Sequence, residues 1–252
     1  MDREKVAFIE ELAANAWRSA VEQHIGGWRL RFSGGNSRRV NSVWPNRTPD
    51  TPELDTGLQL VEDFYERRGT IPRYQLCPAA EPESLADRLS HQGYIFTAHT
   101  SVKTSPIDRL LEAAQPPQVE QFAASELTDV WFRTYTGASG YSERSLTIRR
   151  GILTRIGPAA RFLLFKQEDQ PAAVGLGVAE RGWLGVFCVV TVPEFRRQGL
   201  AGAVMHALAA WGKGQGAEHV YLQVMDDNLP ALALYEQLGF EQLYQYFYAE
   251  KP

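Results

Sequence analysis

The sequence predicts an α+β protein, a mixed α/β chain built from two copies of one unit. Three observations lead there. Between Trp183 and Trp211 an apolar strand, a small glycine-bearing loop and a helix follow one another directly. Stretches with strand-like and helix-like apolar spacing fill most of the rest of the 252-residue chain. The order of these stretches also repeats, at an offset of roughly 147 residues. Trp44-Pro45 falls on Val192-Pro193, Tyr74-Gln75-Leu76 on Tyr221-Leu222-Gln223, and LADRLSHQGY on LALYEQLGF with Gly93 opposite Gly239.

In chain order, Val6, Ile9, Leu12, Ala13, Ala16, Trp17, Ala20 and Val21 recur at helical intervals and predict a helix over 3–23, stopped by Gly26-Gly27. WRLRF (28–32) and RVNSVW (39–44) alternate as strands around the turn signal Ser33-Gly34-Gly35-Asn36-Ser37. Leu58, Leu60, Val61, Phe64 and Tyr65 predict a helix ending before Gly69, residues 73–77 a strand, 83–92 a helix and 94–103 a long strand. Pro106, Pro116 and Pro117 surround a short helical LLEAA, so 105–117 reads as a linker between a first domain, 1–104, and a second, 118–252.

The second half opens with a strand over 119–123, then helices over 127–135 and 146–156 around Gly137-Ala138-Ser139-Gly140, and strands over 161–166 and 172–179. Gly175 and Gly177 lie inside the last of these with no helix after them, so they read as sites of close backbone packing rather than a dinucleotide fingerprint. The run 184–192 is continuously apolar and often β-branched, as expected of a strand covered on both faces. After Pro193 come Arg196, Arg197, Gln198, Gly199, Leu200 and Ala201, then Val204, Leu208 and Trp211 at helical spacing. Such a helix start leaves backbone N–H groups unpaired and carries roughly half a positive charge, which suits phosphate oxygens.

Composition narrows the function classes. The net charge is −4 and the arginine pairs at 38, 67, 149 and 196 are scattered, so a nucleic acid is not the expected partner. The N-terminal MDREKVAFIEELAANAW is charged where a secretory signal is apolar, and no apolar run reaches membrane-spanning length. A cytoplasmic protein without a membrane partner is expected. Cys77 and Cys188 read as reduced core thiols, and the five histidines lack metal-ligand spacing, so no metal is expected.

Arg196-x-x-Gly199-x-Ala201 after a strand ending in Val-Pro resembles the acetyl-CoA signature of the GCN5-related N-acetyltransferases. The continuation into HVYLQVM (219–225), Asn228 and ALALYEQLGF (231–240) is similar to the rest of that family's core. The resemblance implies tandem domains, each a mixed, mostly antiparallel twisted sheet flanked by helices. It also implies an acetyl-CoA-dependent transfer of an acetyl group to a small-molecule or peptide amine.

By the same resemblance, the backbone of Val189, Val190 and Thr191 pairs with the pantetheine arm, and N–H groups of Arg197, Gln198, Gly199, Leu200, Ala201 and Gly202 hold the pyrophosphate. Asn228 contacts the cofactor, Tyr235 donates a proton to the departing thiolate, and the helices after residue 127 line the acceptor pocket. The first copy departs from the pattern. Asn46-Arg47-Thr48-Pro49-Asp50 follows Pro45, and proline cannot donate backbone hydrogen bonds, so that copy is expected to be degenerate.

A proton acceptor is less visible. Position 223, where many relatives carry a Glu, holds Gln223, with Glu143, Glu194 and Asp226 as possible replacements. A lysine-like amine with a pKa near 10.4 is neutral in only about one molecule in 2,500 at pH 7, an α-amine near 7.7–8 in roughly a tenth. The missing base therefore favours a less basic acceptor. Trp131, Tyr135, Tyr141, Trp183 and Phe187 could wall its pocket. A non-catalytic acyl-CoA sensor or partner-binding module is the rival reading, motivated by Gln223.

Overall fold

The structure, a computed structural model, describes residues 2–35, 37–46, 52–113, 119–137 and 140–252. The chain divides into two compact units, one of residues 1–101 with 244–252 and the other of residues 102–243. The borders fall inside strands β5 (Ile95–Pro106) and β11 (Glu241–Glu250). They differ from the sequence-based division at 104, 117 and 118 in two respects. The last nine residues, 244–252, belong to the first unit, and residues 107–112 are no linker. They form α4 (Ile107–Glu112), whose Ile107 and Leu110 are buried in the second unit's core.

In the first unit, α1 (Arg3–Ala16) is capped by Asp2, whose carboxylate accepts from the N–H groups of Glu4 at 3.0 Å and Lys5 at 3.1 Å. The helix expected to reach residue 23 stops at Ala16 because β1 (Val21–Ile25) pairs antiparallel with β2 (Trp28–Phe32). Gly26-Gly27 is their two-residue turn, with Gly26 at φ 54°. β3 is only Val43–Pro45, and it runs parallel to β4 (Tyr74–Leu76). α2 (Leu54–Glu66) and α3 (Leu85–His91) pack Leu58, Val61, Phe64, Leu85 and Leu89 onto Trp28, Leu30 and Tyr74.

β11 lies antiparallel against β4, with Phe247 opposite Leu76. A buried polar chain closes this unit: Arg31 donates to Gln75 Oε1 at 2.8 Å, Gln75 Nε2 to Glu10 at 2.6 Å, and the Tyr244 hydroxyl to Glu10 at 2.7 Å. Burial pushes the Glu10 carboxyl above its ordinary range, while Tyr244 and Arg31 pull the other way.

The second unit arranges its strands in the order β6-β7-β8-β9-β10. β6 (Glu120–Ala124), β7 (Ala159–Gln167), β8 (Gln170–Glu180) and β9 (Trp183–Thr191) are antiparallel neighbours, and β10 (His219–Met225) runs parallel to β9. α5 (Asp129–Thr136), α6 (Glu143–Leu153), α7 (Leu200–Gly214) and α8 (Leu229–Gln237) complete it. Leu200, Ala203, Val204, Met205, Leu208 and Ala209 form the buried stripe of α7. Gly175 and Gly177 do serve close packing: a methyl group on Gly175 would run into Val204, and one on Gly177 would lie 3.1 Å from Trp211.

The two units repeat each other locally. Each has a parallel strand pair, β3/β4 and β9/β10, followed by a helix, α3 and α8. Each of those helices ends on a left-handed glycine, Gly93 at φ 82° and Gly239 at φ 79°. The next N–H reaches back to the helix in both, Tyr94 to Leu89 O at 3.1 Å and Phe240 to Tyr235 O at 2.9 Å.

Candidate active site

The parallel pairing of β9 with β10 runs from Trp183↔His219 to Val186↔Leu222 and stops there, although β9 continues to Thr191 and β10 to Met225. On its other side β9 stays paired with β8, but with a bulge. Leu176 faces Phe187 and Val174 faces Val190, so Cys188 and Val189 together oppose Gly175. Cys188 takes the left-handed conformation, φ 53°, to make that bulge. From Cys188 to Thr191 the strand is half-buried, unlike its covered first five residues. Val189, Val190 and Thr191 thus lie on a stretch of β9 that has parted from β10.

A single 3-10 turn, Pro193–Phe195, carries the chain from β9 to the loop before α7. Arg197 is left-handed at φ 64°, and Gly199 caps the helix at φ 78°, a conformation costly for any residue with a Cβ. The first bond inside the helix runs from Ala203 N to Gly199 O at 3.0 Å. The N–H groups of Leu200, Ala201 and Gly202 precede that bond and have no backbone acceptor among the described residues. The space around Gly199 and Gly202 is open: apart from the adjoining backbone, no described atom lies within 4 Å of a Cβ placed on either. Arg196, Arg197, Gln198 and Gly199 are exposed, and Gln167 Nε2 donates to Gln198 Oε1 at 3.0 Å, tying the loop to the β7–β8 turn. This is an open, donor-rich cradle for an anion.

Asn228 caps α8, its side-chain oxygen accepting from Ala231 N at 3.3 Å. That leaves its amide nitrogen as the group able to donate to a ligand. Tyr235 lies on α8, half-buried, with its ring 5.8 Å from that of Phe240. Burial alone pushes its phenol up to about 12, and the hydroxyl has no hydrogen-bond partner among the described residues. Gln223 is half-buried on β10; Glu143 and Glu194 are exposed, and Asp226 is half-buried.

Of the aromatic residues expected around an acceptor, Trp131 serves the core. It is 1% exposed and donates from Nε1 to Leu163 O at 2.9 Å and Gly175 O at 3.2 Å, which fixes α5 over the bulge. Trp183 and Phe187 are buried as well. Tyr135 hydrogen-bonds Cys188, and Arg149 Nη1 donates to the Tyr135 hydroxyl at 2.9 Å. Arg149 also lies over the Tyr141 ring, 3.9 Å from its centroid. The sequence reading passed over this arginine, whose place beside Cys188 depends on the bulge. The loop after Pro45 and the centre of the Gly137–Gly140 turn, residues 47–51 and 138–139, lie outside the described residues.

Among the described residues no group of His, Cys, Asp and Glu gathers as a metal site, and no helix is long and apolar enough to cross a membrane. The family model for "Probable histone acetyltransferase Rv0428c C-terminal" matches residues 5–249. The uncharacterized N-acetyltransferase YobR of Bacillus subtilis is 30% identical over 246 residues, 96% of this chain and 97% of that one. Among solved structures, a GCN5-related N-acetyltransferase from Kribbella flavida has a TM-score of 0.69 at 18% identity, covering 98% of this chain and 95% of its own. A tandem GNAT protein from the clavulanic acid biosynthesis pathway also scores 0.69, at 13% identity, over 96% and 86% of the two chains. These matches favour an enzyme over a non-catalytic acyl-CoA sensor. With a family model and a relative that both span nearly its whole length, the chain belongs to the Rv0428c C-terminal family and is a GNAT-type acetyltransferase.

Proposed function

We propose that this enzyme takes its acetyl group from acetyl-CoA and delivers it to a primary amine by direct attack on the thioester. The parting of β9 from β10 beyond Val186 and Leu222, beside the left-handed start of α7 at Gly199, carries this reading. Unpaired strand backbone suits an amide-bearing arm, and the open N–H groups before Ala203 suit a pyrophosphate. In the reaction the amine nitrogen bonds to the carbonyl carbon, the C–S bond breaks, nitrogen loses a proton and sulfur gains one.

In this reading Val189, Val190 and Thr191 hold the arm by backbone hydrogen bonds. Arg197 to Gly202 hold the phosphates, and the Asn228 amide nitrogen adds a donor. Tyr235, like any phenol, is protonated at neutral pH, and burial raises its pKa further, so its hydroxyl can donate a hydrogen bond to sulfur as negative charge develops and then its proton to the departing thiolate. Gln223 cannot take the amine's proton, so the site suits amines already neutral in appreciable fraction near pH 7. The second unit, residues 102–243, supplies this machinery, and the first copy is degenerate and carries no second cofactor site.

A panel of peptide N-termini, free amino acids, polyamines and aromatic amines, assayed for acetyl-CoA-dependent thiol release, tests the proposal. Release that rises with the concentration of at least one amine, with an N-acetyl product by mass, is the expected result. Acetyl-CoA binding without release from any amine would count against it.

A further inference from the structure

Arg149 on α6 is a half-buried cation with no acidic partner among the described residues. Its neighbour Arg150 pairs with Asp129 at 2.9 Å, so acidic groups are within reach of this helix, but none is spent on Arg149. Two tyrosines position it instead. Nη1 donates to the Tyr135 hydroxyl at 2.9 Å, and the guanidinium lies 3.9 Å from the Tyr141 ring centroid. Tyr135 is no counter-ion, because burial pushes its phenol far above neutral pH and keeps it uncharged. A half-buried guanidinium held against aromatic rings gains from an anion that completes its hydrogen bonds. With Nη1 engaged, Nε and Nη2 remain, and this edge of the planar fork suits the two oxygens of a carboxylate.

Its position connects it to the chemistry. Tyr135 bonds Arg149 on one side and Cys188 on the other, and Cys188 is the bulge residue immediately before Val189. The charge therefore sits two hydrogen bonds from the part of β9 that is to hold the acetyl-bearing arm of the cofactor. We infer that Arg149, held by Tyr135 and Tyr141, binds a carboxylate of the acceptor, so that the enzyme selects amines carrying a carboxylate close to the nucleophilic nitrogen. This rests on the amine-acetylation reading above. A free amino acid supplies such a group through its own α-carboxylate, and a peptide N-terminus through an acidic side chain near its first residue.

The experiment compares acceptor pairs that differ only in the carboxylate, using the full chain. One arm sets free amino acids against their carboxamides, and the other sets peptides with Glu or Asp at the second position against Gln or Asn. A charge-assisted hydrogen bond to the ligand is expected to favour the acid by about 10- to 100-fold in kcat/KM, mostly through KM, in at least one arm. The arm that responds identifies the source of the carboxylate. Arg149→Gln is expected to erase the ratio of acid to carboxamide, and Arg149→Lys to keep part of it, with acetyl-CoA affinity unchanged in calorimetry. Equal use of acid and carboxamide in both arms, or an Arg149→Gln enzyme that keeps the wild-type ratio, would overturn the assignment. Absence of thiol release from every amine would overturn amine acetylation itself and this inference with it.

Discussion

Val186 of β9 and Leu222 of β10 are the last registered partners of two parallel strands that both run on past them. Parallel strands normally keep their ladder when both continue, since each lost pair leaves backbone donors and acceptors without partners. Here β9 is held from its other side by β8 through a bulge at Cys188, and Gly175 opposite that bulge is fixed by its carbonyl to Trp131 Nε1. The divergence is thus built into the packing of α5 and β8.

Tyr235→Phe keeps the ring and its contact with Phe240 and removes only the hydroxyl. If that hydroxyl supports the leaving thiolate, kcat falls by about 10²- to 10⁴-fold while acetyl-CoA affinity changes little. A purely structural tyrosine gives a lower melting temperature and a near-normal rate. Steady-state kinetics with a working acceptor, beside calorimetry of acetyl-CoA binding, distinguish the two; kcat within threefold of wild type would remove Tyr235 from the mechanism.

Glu250 fastens the end of β11 within the first unit, accepting from Arg38 Nε at 2.6 Å, Arg73 Nε at 2.8 Å and Thr97 Oγ1 at 2.5 Å. Partial burial would raise its pKa, but Thr97, Arg38 and Arg73 together hold it below the ordinary carboxylate value. A depressed folded pKa means the contribution is fully present above the unfolded value of about 4.3 and is lost as pH falls through the folded one. Glu250→Gln is expected to cost about 1–3 kcal/mol at pH 7. The gap between mutant and wild type should shrink progressively below about pH 4. Thermal melts of both proteins across pH 3–7 check this, and a gap independent of pH would contradict it.

What was legible in the sequence follows from how local its cause is. β9, the Gly199 loop and α7 were readable because a covered strand, a glycine requiring positive φ and an amphipathic stripe each leave a mark within a few residues. The local correspondence between the two units was readable through Gly93 and Gly239, which end their helices with the same backbone turn. β1 was missed because Ala20 and Val21 continue the helical spacing of α1 by coincidence, and Gly26-Gly27 serves equally as a helix stop or a hairpin turn. The placement of Tyr244–Pro252 depends on Glu10, Arg38 and Arg73, far away in sequence, and no local pattern reports it. The Cys188 bulge was equally hidden, since tertiary packing holds a non-glycine residue in the left-handed region. Arg149 acquires its meaning only beside that bulge.

One acetyl-CoA is expected to bind per chain, on the open N–H groups that begin α7. Gly199→Glu places a carboxylate where the phosphates are to sit, in space that is open around Gly199, while Gly199→Ala imposes the same backbone strain at φ 78° without the charge. Isothermal titration of wild type, Gly199→Ala and Gly199→Glu with acetyl-CoA, each shown folded by thermal melting, is the most direct test. A stoichiometry near one is expected for wild type and, since opposed like charges cost several kcal/mol, at least about 100-fold weaker binding to Gly199→Glu than to Gly199→Ala. Two equivalent sites per chain, or equal affinity of the Glu and Ala variants, would contradict it.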